Sequence, residues 1–152
     1  MTLFLMQHGE AASEQENPER PLTPAGRGAV ERVAFRAQRA GVLLDRCFHS
    51  GKLRAAQSAE LLAAAVGGIV EQRDGLAPND PIVPVAEWVR RIDESIALVG
   101  HLPFLGRLTS LLIVGDENVP VIRFTMGGLV CLVHDEPTQT FVVAWALSPA
   151  IS

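Results

Sequence analysis

Two histidines and an arginine lie at or just after the ends of short apolar runs in the sequence: His8, Arg54 and His101. Because parallel strands end at a common edge of a sheet, where open α/β folds bind ligands, we expect these three side chains to meet there. A guanidinium binds phosphate oxygens in a bidentate manner. A neutral imidazole can attack phosphorus and form a covalent phosphohistidine. The sequence therefore predicts a site for phosphoryl transfer.

The segment 50–55 adds further donors to this predicted site. It turns from a short strand into a helix, so the free N–H groups of the first helical turn would lie beside Arg54 and attract anions. Neighbouring cations also disfavour the protonated form of an imidazole, which is not nucleophilic. Fixed donors of this kind stabilise the charge on a transferring phosphoryl group. We therefore expect no metal and no other cofactor.

The predicted elements alternate in a way that would position these residues. Strands are predicted at 3–6, 46–49, 69–71, 95–99, 119–124, 128–134 and 140–147, and helices at 24–40, 52–66, 85–92 and 102–114. Thr23 and Pro24 form a typical helix start. Strand–helix alternation predicts an α/β fold, a three-layer α/β/α arrangement of a mainly parallel mixed sheet with helices on both faces. The last two strands are expected to form an antiparallel hairpin around 135–137.

Composition limits the class of protein. The chain has 152 residues, of which 48% are hydrophobic and 20% charged, which is typical of one globular domain over 1–152. A formal charge of -4 argues against a nucleic-acid partner, and no apolar run is long enough for a membrane span. Cys47 and Cys131 are predicted to be buried free thiols, which together with the absence of a secretory signal favours the cytoplasm.

Four segments of the chain resemble the motifs of a known family. Segments 6–10, 20–26, 50–57 and 101–103 are similar to R-H-G, R-P-L-T-x-x-G, S-P-x-x-R-A-x-Q-T and G/S-H-x-P. These motifs belong, in this order, to the histidine phosphatase (phosphoglycerate mutase-like) superfamily. The short spacings resemble its small SixA-type phosphohistidine phosphatases. The resemblance covers essentially the whole chain and implies a phosphoglycerate mutase-like fold.

The resemblance also implies a role for each matching residue. His8 would be the nucleophile that becomes phosphorylated, Arg54 would hold the phosphoryl group, and His101 would hydrogen-bond it in the transition state. Arg20 would close over the anion from its loop, and Ser50 would orient the pocket. The short subfamily resembles a version of the fold without the long inserted lid. Such an open pocket suits a phosphohistidine displayed on a protein or a small phosphoester.

The sequence departs from the family pattern beside the predicted nucleophile. Gln7 stands where the motif has arginine, so one charged phosphate ligand is replaced by an amide. Charge-assisted hydrogen bonds contribute about 1.5–3 kcal/mol each, which predicts a reaction slower by roughly ten- to a few hundred-fold. Gly51 replaces the proline after Ser50 and is expected to loosen that loop. Lys52 is a candidate for supplying part of the missing charge.

The sequence offers two candidates for a general acid, Asp80 and Glu10. Asp80 lies in the region after the third strand, from which larger family members take a carboxylate. The alternative for Asp80 is a loop-capping role before a proline, and the alternative for Glu10 is to orient its loop. A phosphohistidine substrate has a better leaving group than an alkyl ester and needs less help from an acid.

Three functions are compatible with these features. The first is a phosphohistidine phosphatase that acts through His8, attenuated by Gln7. The second is a phosphate-binding pseudophosphatase that docks a phosphorylated partner without turnover, and the third is a phosphomonoesterase of small molecules. Intact His8, Arg54 and His101 favour an enzyme, whereas Gln7 is the feature that favours a binding protein.

Overall fold

The computed structural model describes residues 1–151, which form six strands and four helices. The strands are β1 (Thr2–Gln7), β2 (Arg46–His49), β3 (Ile69–Gln72), β4 (Ile96–Gly100), β5 (Leu129–Asp135) and β6 (Thr140–Leu147). The helices are α1 (Pro24–Arg39), α2 (Leu53–Val66), α3 (Val83–Arg91) and α4 (Phe104–Val114). All ten were predicted from the sequence, with ends that differ by no more than two residues.

The strands form a single mixed sheet in the order β3-β2-β4-β1-β5-β6. The pairs β3–β2, β2–β4 and β4–β1 are parallel, whereas β5 runs antiparallel to β1 and pairs with β6 as the predicted hairpin. Helices α1 and α2 pack on one face, and α3 and α4 pack on the other. The predicted three-layer α/β/α class is therefore confirmed.

The central strand β1 illustrates how the sequence fixes this arrangement. Leu3 and Leu5 belong to the apolar cluster under α3 and α4, whereas Phe4 and Met6 belong to the cluster under α1 and α2. Alternate side chains of a strand point to opposite faces, so all four are buried. Each buried side chain of this size contributes about 1.5–3 kcal/mol. A slip of one residue would exchange the two sets, so that each cluster would have to accommodate side chains of a different shape.

One predicted strand is wrong. Residues 119–124 contain apolar side chains typical of a strand but form no strand in the structure. Pro120 has no N–H to donate to a ladder, and β5 already has β1 and β6 as its two neighbours. The chain reaches the end of β1 only after this segment, where the N–H of Gly127 donates to the carbonyl oxygen of Gln7 at 2.9 Å.

The structure also shows the environment of the two cysteines and the character of the helices. Cys47 and Cys131 are buried free thiols, as predicted. Burial raises the pKa of the Cys47 thiol to about 12 and that of Cys131 to about 11, so neither is ionised at neutral pH. Among residues 1–151, no helix combines the length and the apolar character needed to cross a membrane.

Candidate active site

The ends of three neighbouring parallel strands bring the predicted residues together. His8 follows β1, Ser50 follows β2 and His101 follows β4. The imidazole rings of His8 and His101 have centroids 5.0 Å apart, and the Ser50 hydroxyl lies 2.6 Å from Nε2 of His101. The expected convergence of these groups at one edge of the sheet is therefore observed.

The hydrogen bond of His8 defines which ring nitrogen is free. Nδ1 of His8 lies 2.7 Å from the carbonyl oxygen of Gly9. Because a carbonyl oxygen can only accept, Nδ1 carries the proton, and in the neutral ring Nε2 retains its lone pair. The backbone N–H of His8 donates to the carbonyl oxygen of Gly100 at 3.0 Å. The first bond orients the ring, and the second fixes the backbone that carries it.

The surroundings favour neutral imidazoles. Burial lowers the pKa of His8 most, the hydrogen bond to Gly9 opposes this, and the charges of Arg54 and Arg20 lower it further. The pKa of His101 falls to about 3, chiefly through burial, with the positive charges around it acting in the same direction. His8 is therefore available as a nucleophile at neutral pH, and His101 is a neutral hydrogen-bonding group.

Two guanidinium groups of this site have no acidic partner. Within residues 1–151, neither Arg54 nor Arg20 forms an ion pair, and Arg20 donates through Nε to the carbonyl oxygen of Ala12 at 3.0 Å. Nε of Arg54 and Nδ1 of His101 are buried without a hydrogen-bond partner among these residues. Buried donors without partners are rare in folded proteins. An anion with several acceptor oxygens, such as a phosphoryl group, is the ligand that would satisfy them.

Two polar residues of α2 position this site, although their sequence pattern did not predict them as site residues. The hydroxyl of Ser58 is fully buried, accepts from the N–H of Gly9 at 3.0 Å and donates to the carbonyl oxygen of Arg54 at 2.8 Å. Gln57 accepts from the N–H of Leu22 at 2.8 Å and thereby ties the loop of Arg20 to α2. Their spacing could have indicated this role, because Gln57 and Ser58 follow Arg54 by three and four residues and therefore lie on the same face of α2.

Close backbone packing fixes the loop that follows β1. A Cβ atom on Gly26 would lie 2.1 Å from the carbonyl oxygen of Glu10, and one on Gly9 would lie 2.9 Å from the carbonyl oxygen of Gly26. Thr23 is the N-cap of α1, as predicted, since its hydroxyl accepts from the N–H of Gly26 at 2.9 Å. The glycine after His8 therefore permits a close approach of two backbone segments.

The structure places the other predicted residues as follows. A carboxylate oxygen of Glu10 accepts from the Thr23 hydroxyl at 2.8 Å, and Asp80 accepts from the N–H of Ala77 at 2.9 Å. Both carboxylates thus make hydrogen bonds within loops, and a general-acid role for either stays a prediction. Gln7 is half-buried at the end of β1, beside Gly100 of β4. Within residues 1–151, no three or more His, Cys, Asp or Glu side chains cluster in a way that could hold a metal ion.

Gly51 has a conformation that the proline of the family motif cannot adopt. Its φ is +94°, and its N–H donates to Nδ1 of His49 at 3.0 Å. Proline fixes φ near −65° and has no N–H. The substitution Gly51→Pro is expected to lower the free energy of unfolding by about 2–4 kcal/mol, from backbone strain and one lost hydrogen bond, and to reduce activity. Denaturant unfolding and phosphatase assays measure both effects.

The matched controls for this prediction are Gly51→Ala, which keeps the N–H, and Gly41→Ala. Gly41 has a similar φ of +84°, and a Cβ atom on it would have no neighbour within 4 Å. A Cβ atom on Gly51 would meet only the side chain of Gln72, which can move aside. Both alanine variants should therefore cost only about 1 kcal/mol. A Gly51→Pro variant that is as stable and active as the wild type would contradict the prediction.

The fold is that of an α/β phosphatase whose candidate site lies at the carboxyl edge of the sheet. The chain belongs to the histidine phosphatase superfamily (branch 1), whose family model matches residues 3–79. An uncharacterised protein of Picosynechococcus sp. is 36% identical over 126 residues, which cover 78% of this chain and 76% of that protein.

Solved structures agree with this assignment. The protein histidine phosphatase SixA, solved in complex with tungstate, is 26% identical and superposes with a TM-score of 0.85, covering 98% of this chain and 97% of that one. A phosphoserine phosphatase from Entamoeba histolytica is 16% identical with a TM-score of 0.71, over 97% of this chain and 96% of that one. The second likeness concerns the fold alone.

Proposed function

We propose that the protein hydrolyses phosphohistidine on a partner protein, through a covalent phosphohistidine intermediate on His8. The observation that carries this proposal is the hydrogen bond from Nδ1 of His8 to Gly9. It leaves the Nε2 lone pair free beside two guanidinium groups that have no acidic partner within residues 1–151. This arrangement combines a neutral nucleophile with cations that attract a phosphoryl group.

The reaction would proceed in two displacements. Nε2 of His8 attacks phosphorus, the P–N bond of the substrate breaks, and the departing imidazole nitrogen takes a proton from solvent. Water then attacks the phosphorus of the phosphorylated His8, which releases inorganic phosphate and restores the neutral ring. In both steps Arg54, Arg20 and His101 would bind the equatorial oxygens, and Ser50 would hold His101 in place through the 2.6 Å hydrogen bond.

Two observations favour phosphohistidine over an alkyl phosphoester as the substrate. Glu10 and Asp80 hydrogen-bond to their own loops rather than to either histidine, and a departing imidazole needs less acid catalysis than an alkoxide. The structure with a TM-score of 0.85 is that of a protein histidine phosphatase. The buried, protonated thiols are compatible with the reducing cytoplasm in which we propose that the protein acts.

Hydrolysis assays with two substrates test this function. A phosphohistidine-bearing protein and an aryl phosphate are each incubated with wild type, His8→Ala and Gln7→Arg, and released phosphate is measured. We expect the wild type to hydrolyse the phosphohistidine protein with a higher kcat/KM than the aryl phosphate. The opposite preference would favour a phosphomonoesterase of small molecules. If wild type and His8→Ala are equally inactive on both substrates, the protein is a phosphate-binding pseudophosphatase instead.

A further inference from the structure

An open, largely apolar groove lies beside the candidate site. One wall consists of Leu102, Pro103 and Gly106, and the other is the irregular segment 120–124. Its volume is about 610 Å³. Leu102 is 41% exposed, a large fraction for a leucine that directly follows the buried His101. We call this feature the 102–124 groove.

Both walls of the groove are continuous with the phosphate-binding residues. Leu102 is bonded to His101, and the segment 120–124 leads within three residues to Gly127, whose N–H donates to the carbonyl oxygens of Gln7 and His8 at 2.9 and 3.2 Å. Since an extended chain advances about 3.3–3.6 Å per residue, residue 124 lies within roughly 11 Å of Gly127, which contacts the backbone of His8. Because the ring of His101 is 5.0 Å from that of His8, the groove that begins at Leu102 adjoins the site.

The groove carries one charged side chain, Arg123. It is exposed and forms no ion pair within residues 1–151. The nearby Arg107, by contrast, is paired with Glu117 at 2.6 Å. An apolar surface with an unpaired guanidinium at its side is complementary to a segment that presents an aliphatic side chain and a carboxylate. Arginine and apolar contacts of this type contribute strongly to protein interfaces.

We propose that the 102–124 groove binds the polypeptide on either side of the substrate phosphohistidine, and that it selects an aliphatic residue together with an acidic one. This inference rests on the proposed function. The phosphoryl pocket binds the phosphate group, which is the same in all phosphohistidines. The groove would distinguish a phosphorylated protein segment from a molecule such as phosphoramidate, which has no side chains to place in it.

The experiment compares three substrates that differ only outside the phosphoryl group. They are phosphoramidate, a phosphohistidine peptide with Leu and Asp beside the phosphohistidine, and the same peptide with Ser at both positions. We expect wild type to hydrolyse the Leu/Asp peptide with a kcat/KM about tenfold above that of the Ser peptide, the effect of burying one aliphatic side chain. Val121→Asp and Arg123→Glu should remove this preference and leave phosphoramidate hydrolysis within about twofold of the wild type.

Arg32→Glu is the matched control, because it makes the same charge change at an exposed position of α1, on the opposite face of the sheet. It should retain the preference, and thermal melting confirms that each variant folds. Equal rates for the two peptides in wild type, or an unchanged preference in both groove variants, would overturn the inference.

Failure of the proposed function gives a different result. Wild type would then hydrolyse neither peptide, and fluorescence anisotropy with the labelled peptides would measure binding directly. Tighter binding of the Leu/Asp peptide to wild type than to Val121→Asp would support the groove even without turnover. Equal binding would reject it.

Discussion

His8→Ala is expected to lose at least about a thousand-fold in turnover of the phosphohistidine protein, because removing the nucleophile closes the route through a covalent intermediate. His101 is not placed to take over this role. It has a hydrogen bond to Ser50 at one ring nitrogen, and it lies deeper in the fold, with 2% of its surface exposed. Initial-rate measurements give the loss in turnover, and an alkaline quench followed by separation of enzyme from substrate should detect phosphate on the wild-type enzyme and none on His8→Ala.

The control for this variant is His134→Ala. His134 lies on β5, and its Nδ1 atom is 3.4 Å from a carboxylate oxygen of Glu136. It is half-buried, as His8 is, but has no contact with the candidate site among the hydrogen bonds of residues 1–151. It should keep wild-type turnover. If His8→Ala retained more than about a tenth of the wild-type rate while folding normally, the assignment of His8 as nucleophile would be wrong.

Gln7→Arg is expected to raise kcat/KM by roughly ten- to a few hundred-fold, since one or two charge-assisted hydrogen bonds to the transferring phosphoryl group would be gained. Gln7 ends β1, its carbonyl oxygen accepts from the N–H of Gly127, and its side chain makes no hydrogen bond within residues 1–151. The backbone at this position is therefore fixed, whereas the side-chain amide can be replaced without loss of an internal bond.

The higher kcat/KM of Gln7→Arg should be accompanied by a lower stability of the fold. A third guanidinium beside Arg54 and Arg20 adds repulsion of like charges when no anion is bound, so Gln7→Arg should melt at a lower temperature in phosphate-free buffer and recover when phosphate is added. Gln7→Lys is the matched variant. It restores the charge but not the bidentate geometry, and we expect it to recover only part of the rate. A Gln7→Arg variant with wild-type kinetics would show that the glutamine does not limit the reaction.

Much of the candidate site could be predicted because its main residues lie next to strands in the chain. His8, Ser50 and His101 directly follow β1, β2 and β4, so recognition of these strands was enough to place the three residues at one edge of the sheet. Parallel pairing of the strands followed from the helices between them. The N-cap of α1 at Thr23 could be predicted for a similar reason, since it depends only on the type of that residue and on the proline that follows it.

The remaining features depend on contacts between distant parts of the chain. The bond between Gly9 and the Ser58 hydroxyl joins residues 49 positions apart, and a sequence pattern gives no distance of that kind. The segment 119–124 was predicted as a strand from its apolar residues, but strand formation also requires a neighbour with free backbone groups. Pro120 lacks the N–H that such pairing uses, and β5, the next strand in the chain, is already paired on both sides. The positive φ of Gly51 could not be predicted from the sequence either, because glycine permits such a conformation but does not require it.

The position of β1 inside the sheet has a consequence for the motions of the site. Its amides bond to β4 on one side and β5 on the other, and the N–H of His8 continues this ladder to Gly100. Amides of that kind exchange with solvent only when the fold opens as a whole. The loop that follows is held as well, because the N–H of Gly9 donates to Ser58, that of Leu22 to Gln57, and that of Thr23 to the carbonyl oxygen of Glu10. We therefore expect the loop that carries Arg20 to keep its position relative to His8 when a substrate binds, so that the pocket is preorganised.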